Sequence, residues 1–461
     1  MLCYLLLLTG LCWERLRGKS RLRDSAVTPW FRPCLGVPGL STLVAGLIVL
    51  FLLQLMIVAF LAQDDSVTRG AIRFPLNIVD DRIGTQSSHR GAATAMMLVL
   101  ALLQTVGLAT LSRALVDGGR AARWIVAAGA VTMYGMALLA PALTSADMYS
   151  YSGYSLLGGR AYAPPAVPFP SQFASINLWW HTPMEPAPYG PLWIHYNRIL
   201  LALAPTLFLK FAILRCAGVV WLLVVLRCVA LQRVPLHILS LLALNPAIAF
   251  QFISNGHNDV VGVGIALLGL TAARLGPWFQ APFVVAAGLI KLPFVAVAVV
   301  MLRGSLRTRL TVAGVSTFAT IAASLLFGGP SYVDSLMHHA HTHALMFGVA
   351  HSVLLLYVLG AIAVALILNR WSVVAPLCFP SLAAAMFPWY ILWGLPYALA
   401  GRSLPFFLIA LPLASFLFDP IYETLWLLLA ATLAVSASSV WEILNKRRRA
   451  TSLGAEAFHG A

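Results

Sequence analysis

The sequence has few charged residues. Asp, Glu, Lys and Arg make up only 10% of its 461 residues, whereas 60% are hydrophobic. A soluble domain normally carries about 25% charged residues. Many of the apolar runs are as long as the roughly 20 residues with which an α-helix crosses the hydrocarbon core of a membrane. The composition therefore predicts an all-α, polytopic membrane protein with about 11–13 spans, some of them short or broken.

Acidic residues are scarcer than basic ones. The chain has 15 Asp and Glu against 30 Lys and Arg, which gives a net charge of +15. The basic residues cluster beside apolar runs at 15–32, 113–123, 303–309 and 446–449, a distribution that marks cytoplasmic loops. No basic stretch with interleaved aromatic residues is present, so we do not expect nucleic acid as a partner.

The charge distribution predicts the domain organisation. Residues 1–38 form a basic cytoplasmic segment, residues 39–443 a single transmembrane domain, and residues 444–461 a basic cytoplasmic tail. The protein is then a multi-pass protein of the cell membrane, with both termini in the cytoplasm.

Cysteine and the common cofactor motifs are also scarce. The six cysteines show no paired spacing, which argues against a disulfide framework, and Walker, Rossmann and zincin motifs are absent. Four histidines, His338, His339, His341 and His343, lie in a predicted outward loop at 328–351 without a known ligand spacing. We expect no cofactor and no catalytic metal, and whether these histidines bind a metal stays open.

Asp147 follows the third predicted span, at 124–143, and begins a long segment rich in Pro, Tyr and Trp, residues 144–197, that we predict to be an extracytoplasmic loop. A carboxylate at the membrane edge among aromatic residues can be partly desolvated, which raises its pKa and suits a general base. Tyr149 and Tyr151 offer rings and hydroxyls to a sugar. The alternative is an Asp that caps a helix.

A second polar group, His257-Asn258-Asp259, lies between two predicted spans at 236–253 and 259–273. Polar residues at membrane depth are costly and usually line a cavity or a pathway. His257 and Asn258 could donate hydrogen bonds to a phosphate or a sugar, whereas Asp259 could instead cap the helix that follows it.

Lys291 interrupts an apolar stretch at 281–302, together with Pro293. Each half of the stretch has about ten residues, roughly half a bilayer at 1.5 Å per residue. The stretch therefore predicts a hairpin of two short helices with Lys291 near the turn. An unpaired lysine is costly there, so an anionic partner is expected unless the side chain reaches a nearby surface.

Five segments together resemble the polyprenyl-phosphate-mannose-dependent α-1,6-mannosyltransferases of the glycosyltransferase C superfamily, over residues 40–397. The matching segments are Asp147 with Tyr149-Ser150-Tyr151, Ala187-Pro188-Tyr189-Gly190-Pro191, Asn245-Pro246 with His257-Asn258-Asp259, Lys291, and Pro388-Trp389-Tyr390. The family often has Arg directly before the Asp, where this chain has Ala146.

The resemblance implies a glycosyltransferase C-like fold and the transfer of a hexose, mannose in that family, from a polyprenyl-phosphate carrier. The acceptor would be a hydroxyl of a glycan or glycolipid on the extracytoplasmic face, and the reaction would invert the anomeric carbon. Asp147 would be the general base, and membrane lipid would surround the site. Substrate-binding residues would be Tyr149, Tyr151, Tyr189, Gly190, His257, Asn258, Asp259, Lys291, Trp389 and Tyr390.

Three alternatives stay open, one of which is a catalytically silent paralogue that acts as a scaffold, since the family's arginine is missing at Ala146. Asp64 and Asp65, just after the first span, are rival candidates for the base. A transporter or flippase for a lipid-linked sugar would use a similar cavity without needing a base at one membrane face. The residues do not identify the donor sugar, the acceptor, the linkage or the oligomeric state.

Overall fold

The computed structural model describes residues 37–63, 90–116, 118–140, 145–180, 182–368, 388–400 and 404–415. Every regular element in these ranges is helical, and they contain no strand. In chain order the α-helices are α1 (Val37–Gln63), α2 (Arg90–Ala114), α3 (Arg120–Leu139), α4 (Asp147–Leu157), α5 (Ala174–Trp179), α6 (Pro191–Leu200), α7 (Leu207–Leu231), α8 (Leu236–Ala243), α9 (Pro246–Ala249), α10 (Asp259–Ala272), α11 (Ala281–Ile290), α12 (Phe294–Val299), α13 (Leu306–Leu368), α14 (Gly394–Ala400) and α15 (Leu404–Ser415).

Six helical stretches in the described residues are long and apolar enough to cross a membrane. They are Pro38–Val58, Ala95–Ala114, Arg120–Leu139, Leu207–Leu231, Leu236–Ser254 and Leu306–Thr342. Large apolar side chains on their outer faces are exposed, among them Val131, Phe318 and Leu326, as expected of helices surrounded by lipid. The prediction of an all-α, multi-pass membrane protein is confirmed, while the larger number of spans stays a prediction because it includes segments outside the described residues.

A polar contact joins the first two spans inside the apolar body. Gln104 of α2 donates from Nε2 to Oε1 of Gln54 on α1 at 3.0 Å, and both side chains are fully buried. A hydrogen bond between helices is a common way of fixing their alignment in a membrane, where apolar packing alone specifies it weakly.

The segment predicted as a long loop, residues 144–197, is largely helical. It contains α4, α5, the start of α6 and two short 3-10 helices at Gly158–Tyr162 and Ser171–Phe173. Its aromatic side chains Tyr151, Tyr154 and Trp193 are buried in the core. None of the candidate spans lies in this segment, so its extracytoplasmic position stays a prediction. Its helices were not expected, because they depend on the packing of these rings against one another and periodicity along the sequence does not reveal such packing.

The fifth candidate span is broken where the sequence has Asn245-Pro246. Asn245 caps α9 by accepting from the Ala247 N–H at 3.2 Å, and its Nδ2 donates to the Leu408 carbonyl of α15 at 2.7 Å. The chain then forms a π-helical turn, Phe250–Ser254. Such turns are rare and often occur next to functional residues. This one ends three residues before His257.

The hairpin predicted at 281–302 is present as α11 and α12. Lys291 lies between them with an extended backbone, φ −159° and ψ 125°. The prediction of two short helices with Lys291 at the turn is confirmed, and the side of the membrane from which they enter stays a prediction.

The outward histidine loop predicted between two spans is wrong, because residues 328–351 belong to the 63-residue helix α13. Gly329 has a left-handed φ of 67° and precedes Pro330, so the regular helical backbone is interrupted at this point of α13. Beyond this point Ser335 and His339 donate to the carbonyls of Ala187 and Pro186, each at 2.7 Å. These contacts give the polar side chains partners within the fold, which favours the helix over a solvated loop.

The substitution Gln104→Leu tests the polar contact between the first two spans. We expect it to lower the free energy of unfolding by about 0.6–1.7 kcal/mol, because it leaves the Gln54 amide buried without its partner. The measurement is reversible unfolding in mixed micelles. The double variant Gln54→Leu/Gln104→Leu should recover much of the lost free energy of unfolding, since it leaves no amide without a partner. A double variant that loses as much free energy of unfolding as the two single variants together would contradict this account.

Candidate functional site

Asp147 occupies the first turn of α4 and accepts two hydrogen bonds on the same oxygen. Oδ2 receives the Tyr151 hydroxyl, one helical turn further along, at 3.1 Å and Nδ1 of His257 at 3.0 Å. The Asp147 side chain is 19% exposed, whereas that of His257 is fully buried. Buried donors therefore hold the Asp147 carboxylate, while part of its side chain stays accessible to a ligand. Helix capping does not account for it, because the N-cap residue of α4 is Ala146 and the helix has no side-chain capping bond.

These neighbours set the charge state of Asp147. Burial by itself raises the pKa of the carboxyl. The hydrogen bond and electrostatic contribution of His257, the charge of Lys291 and the hydrogen bond from Tyr151 lower it by more, so that the pKa lies below the usual value of 3.8. Desolvation raises the pKa of Asp147 as expected, but the donors around the carboxylate favour its ionised form and reverse the net direction.

His257 reaches Asp147 from the π-helical turn. The Asn255 N–H bonds to the Phe250 carbonyl at 3.0 Å, and the His257 N–H bonds to the Gln251 carbonyl at 3.3 Å. Between them Gly256 has a φ of 66°, and a Cβ at this position would lie 2.7 Å from Sδ of Met148. A glycine is therefore required for this loop to pack against the first turn of α4.

Tyr151 links three parts of the site. Its hydroxyl donates to Asp147 and accepts from the Asn258 N–H at 3.4 Å. Its ring meets those of Tyr189 and Trp193 edge to face, with centroids 5.4 Å and 5.1 Å away. Because Tyr151 is fully buried, it holds Asp147, the 258 backbone and Tyr189 at fixed spacing.

Asp259 is buried and accepts a hydrogen bond from Nε1 of Trp393 at 2.6 Å. Asn258 is the N-cap residue of α10 and makes no side-chain capping bond, so the capping alternative does not account for the Asp259 carboxylate. The sequence reasoning missed Trp393. It lies three residues after Tyr390 in the 3-10 helix Pro388–Trp393, a spacing that places both side chains on the same face.

Lys291 is enclosed by aromatic rings. Its Nζ donates to the Tyr390 hydroxyl at 3.0 Å and lies 4.2 Å, 5.3 Å and 5.6 Å from the ring centroids of Tyr390, Trp393 and Tyr189. Within the described ranges it forms no direct ion pair, although the charges of Asp147 and Asp259 act on it across the cluster. The ammonium group thus has N–H donors available beside walls that exclude water.

Gly190 packs directly against the hairpin that carries Lys291. Its N–H donates to the Ile290 carbonyl at 2.9 Å, and a Cβ at Gly190 would lie 2.2 Å from the Leu289 carbonyl oxygen. The neighbouring Tyr189 carbonyl accepts from the Tyr162 hydroxyl at 3.1 Å. Gly190 therefore allows the two backbones to meet and places Tyr189 beside Lys291.

Not every predicted residue joins this cluster. Tyr149 packs edge to face on Phe211 of α7, with centroids 4.8 Å apart. It points away from Tyr151 because residues two apart lie on different sides of a helix. The Trp389 side chain and both rival bases, Asp64 and Asp65, lie outside the described residues.

The cluster contains an ionised carboxylate, a buried histidine that orients it, a second buried carboxylate and a lysine with free donors. In the part of the chain that the structure describes, no three His, Cys, Asp or Glu side chains are grouped to hold a metal ion. An ionised carboxylate can accept a proton, and an ammonium group in an apolar surround can bind an anion. The arrangement therefore suits proton abstraction next to a bound anion.

A comparison with protein families supplies the class of enzyme. The family model described as alpha-(1→6)-mannopyranosyltransferase, N-terminal domain, matches residues 43–305. The match covers more than half of the chain and includes Asp147, His257 and Lys291, whereas Tyr390 and Trp393 lie beyond it. No curated protein and no solved structure matches the chain. The extent of the family match shows that this membrane protein belongs to the α-(1→6)-mannopyranosyltransferase family of glycosyltransferases.

Proposed function

We propose that the protein transfers mannose from a polyprenyl-phosphate carrier to a hydroxyl of a glycan or glycolipid on the extracytoplasmic face of the cell membrane, with Asp147 as general base. The observation that carries this proposal is the geometry of Asp147. A buried histidine and a buried tyrosine hold one of its oxygens, and the side chain stays partly exposed.

The charge distribution along α3 supports the proposed side of the membrane. Arg120 and Arg123 lie at its start, and Asp147 follows its end. The helix has 20 residues, so its ends are about 30 Å apart at 1.5 Å per residue, the thickness of a hydrocarbon core. Because arginines mark the cytoplasmic side, Asp147 belongs to the opposite side.

In the transfer step, the acceptor oxygen bonds to the anomeric carbon as the bond from that carbon to the phosphate oxygen breaks. The electron pair of the broken bond leaves with the polyprenyl phosphate, and the configuration of the anomeric carbon inverts. The acceptor proton passes to Oδ1 of Asp147, since His257 and Tyr151 occupy Oδ2. The low pKa of Asp147 keeps the base ionised at neutral pH.

Lys291 is suited to the departing phosphate. Negative charge grows on that group in the transition state, and a fixed cation in an apolar surround stabilises it more strongly than one in water. Nζ has one bond to Tyr390 and rings on three sides, so its remaining N–H groups are available to phosphate oxygens. The faces of Tyr189 and Tyr390 would then border the sugar and the lipid phosphate.

Asp147→Asn tests the base. We expect kcat for transfer from radiolabelled polyprenyl-phosphate mannose to an alkyl α-(1→6)-mannobioside to fall about 10²–10⁴-fold, because the amide cannot take the proton. Donor binding should persist. The matched control is Asp334→Asn, which neutralises an exposed acid on α13 and should leave kcat unchanged. Full transfer activity in Asp147→Asn would refute the role of Asp147 as the general base. If the unmodified protein moves lipid-linked mannose across the membrane of vesicles without transferring the sugar, it is a flippase.

Lys291→Met tests the leaving-group site. We expect kcat to fall about 10²–10³-fold, the usual effect of removing one group that stabilises transition-state charge, with a weaker donor affinity as well. The acceptor KM should change little. Lys210→Met removes another buried lysine, one that bonds to the Leu201 carbonyl, and serves as the control. A variant in which only the acceptor KM rises would place Lys291 on the acceptor instead.

A further inference from the structure

Arg215 is a buried cation that the proposed chemistry does not use. It lies on α7 with its side chain 3% exposed and forms no ion pair with an acid of the described residues. A buried arginine in a membrane span is costly, and such residues are usually retained for function. Its position indicates what that function is.

The guanidinium group joins two helix ends that come from distant parts of the chain. Nε donates to the Ser254 carbonyl at 3.1 Å, and Nη1 donates to the Leu138 carbonyl at 3.2 Å. Ser254 is the last residue of the π-helical turn, and Leu138 is in the last turn of α3. Carbonyls at helix ends lack partners within their own helix, and one planar side chain satisfies both of them.

Each of these ends leads directly to a residue of the site. His257 follows Ser254 by three positions, and Asp147 begins the helix that follows α3. The Ser254 hydroxyl adds a bond to the Ala137 carbonyl at 3.2 Å. The end of α3 and the π-helical turn are thus tied together by Arg215 and Ser254.

The packing of α7 keeps the guanidinium at this junction. A Cβ at Gly218 would lie 2.3 Å from the Phe252 carbonyl oxygen, so α7 rests directly on the backbone of the π-helical turn. One turn before Arg215, Phe211 packs on Tyr149 of α4. The helix that carries Arg215 therefore contacts both the π-helical turn and the helix that begins with Asp147.

We propose that Arg215 is a positioning residue that sets the hydrogen bond between His257 and Asp147 by fixing the ends of α3 and of the π-helical turn. The inference rests on the proposed function, since it concerns the orientation of the base. Arg215 acts through His257 and has no contact with the substrates. A lysine at this position has its three donors on one nitrogen and lacks the rigid planar fork with which the guanidinium group holds the two carbonyls.

The test is a double-mutant cycle with the transfer assay described above. We expect Arg215→Gln to lower kcat roughly 10–100-fold with the donor KM within about threefold, because a small displacement of a catalytic group costs rate more than binding. In the His257→Ala background the same substitution should lower kcat by less than about threefold, since the bond that it positions is already lost. Arg215→Lys should have an intermediate kcat.

The control is Lys210→Gln. Lys210 is a buried cation on the same helix, and its Nζ bonds to the Leu201 carbonyl. The kcat of this variant should stay within about threefold of the parent. Equal losses from Arg215→Gln in the parent and the His257→Ala backgrounds would overturn the inference, because a purely structural residue gives additive effects. If Arg215→Gln does not accumulate in membranes, Gly218→Ala displaces the same turn and must show the same dependence on His257. Activity retained in Asp147→Asn would instead count against the proposed function itself.

Discussion

The hydrogen bond between Asp147 and His257 joins residues 110 positions apart, and the geometry of the site depends on it. Asp147 begins α4, which follows the third candidate span, and His257 lies in the loop that follows the fifth candidate span. A π-helical turn, a left-handed glycine and a helix end bring the two together, and the side chain of Arg215 on α7 bonds to two of these features. A bond of this kind in an apolar body is strong when made and costly when left unmade, so it fixes the packing of both segments.

In the described residues of the site, neither carboxylate forms a direct ion pair with Lys291. Asp147 and Asp259 are held by His257 and Trp393 respectively, and Lys291 lies between aromatic rings. Each of these three groups thus bonds to a histidine or an aromatic side chain, and none of them contacts another of the three directly. A site of this kind keeps its charges available to a ligand, whereas tight ion pairs would have to break first.

The spans and the hairpin could be predicted because they depend on length, hydropathy and the cost of placing Lys291 in an apolar stretch. The family resemblance placed Asp147, His257 and Lys291 in one set, and the structure brings these three into one cluster. What could not be predicted depends on contacts between distant residues. The helical structure of 144–197 needs its buried rings, α13 needs the bonds of Ser335 and His339, and the low pKa of Asp147 needs His257. Trp393 carried no signal beyond its spacing from Tyr390.

The contact between Gly190 and the Leu289 carbonyl has a mechanical consequence. With no side chain between them and a hydrogen bond from Gly190 to Ile290, the two backbones cannot slide past each other without breaking contact. The ring of Tyr189 and the ammonium group of Lys291 are attached to this joint from either side. A displacement of the hairpin therefore moves Tyr189 and Lys291 together, and the spacing between the ring and the cation is preserved.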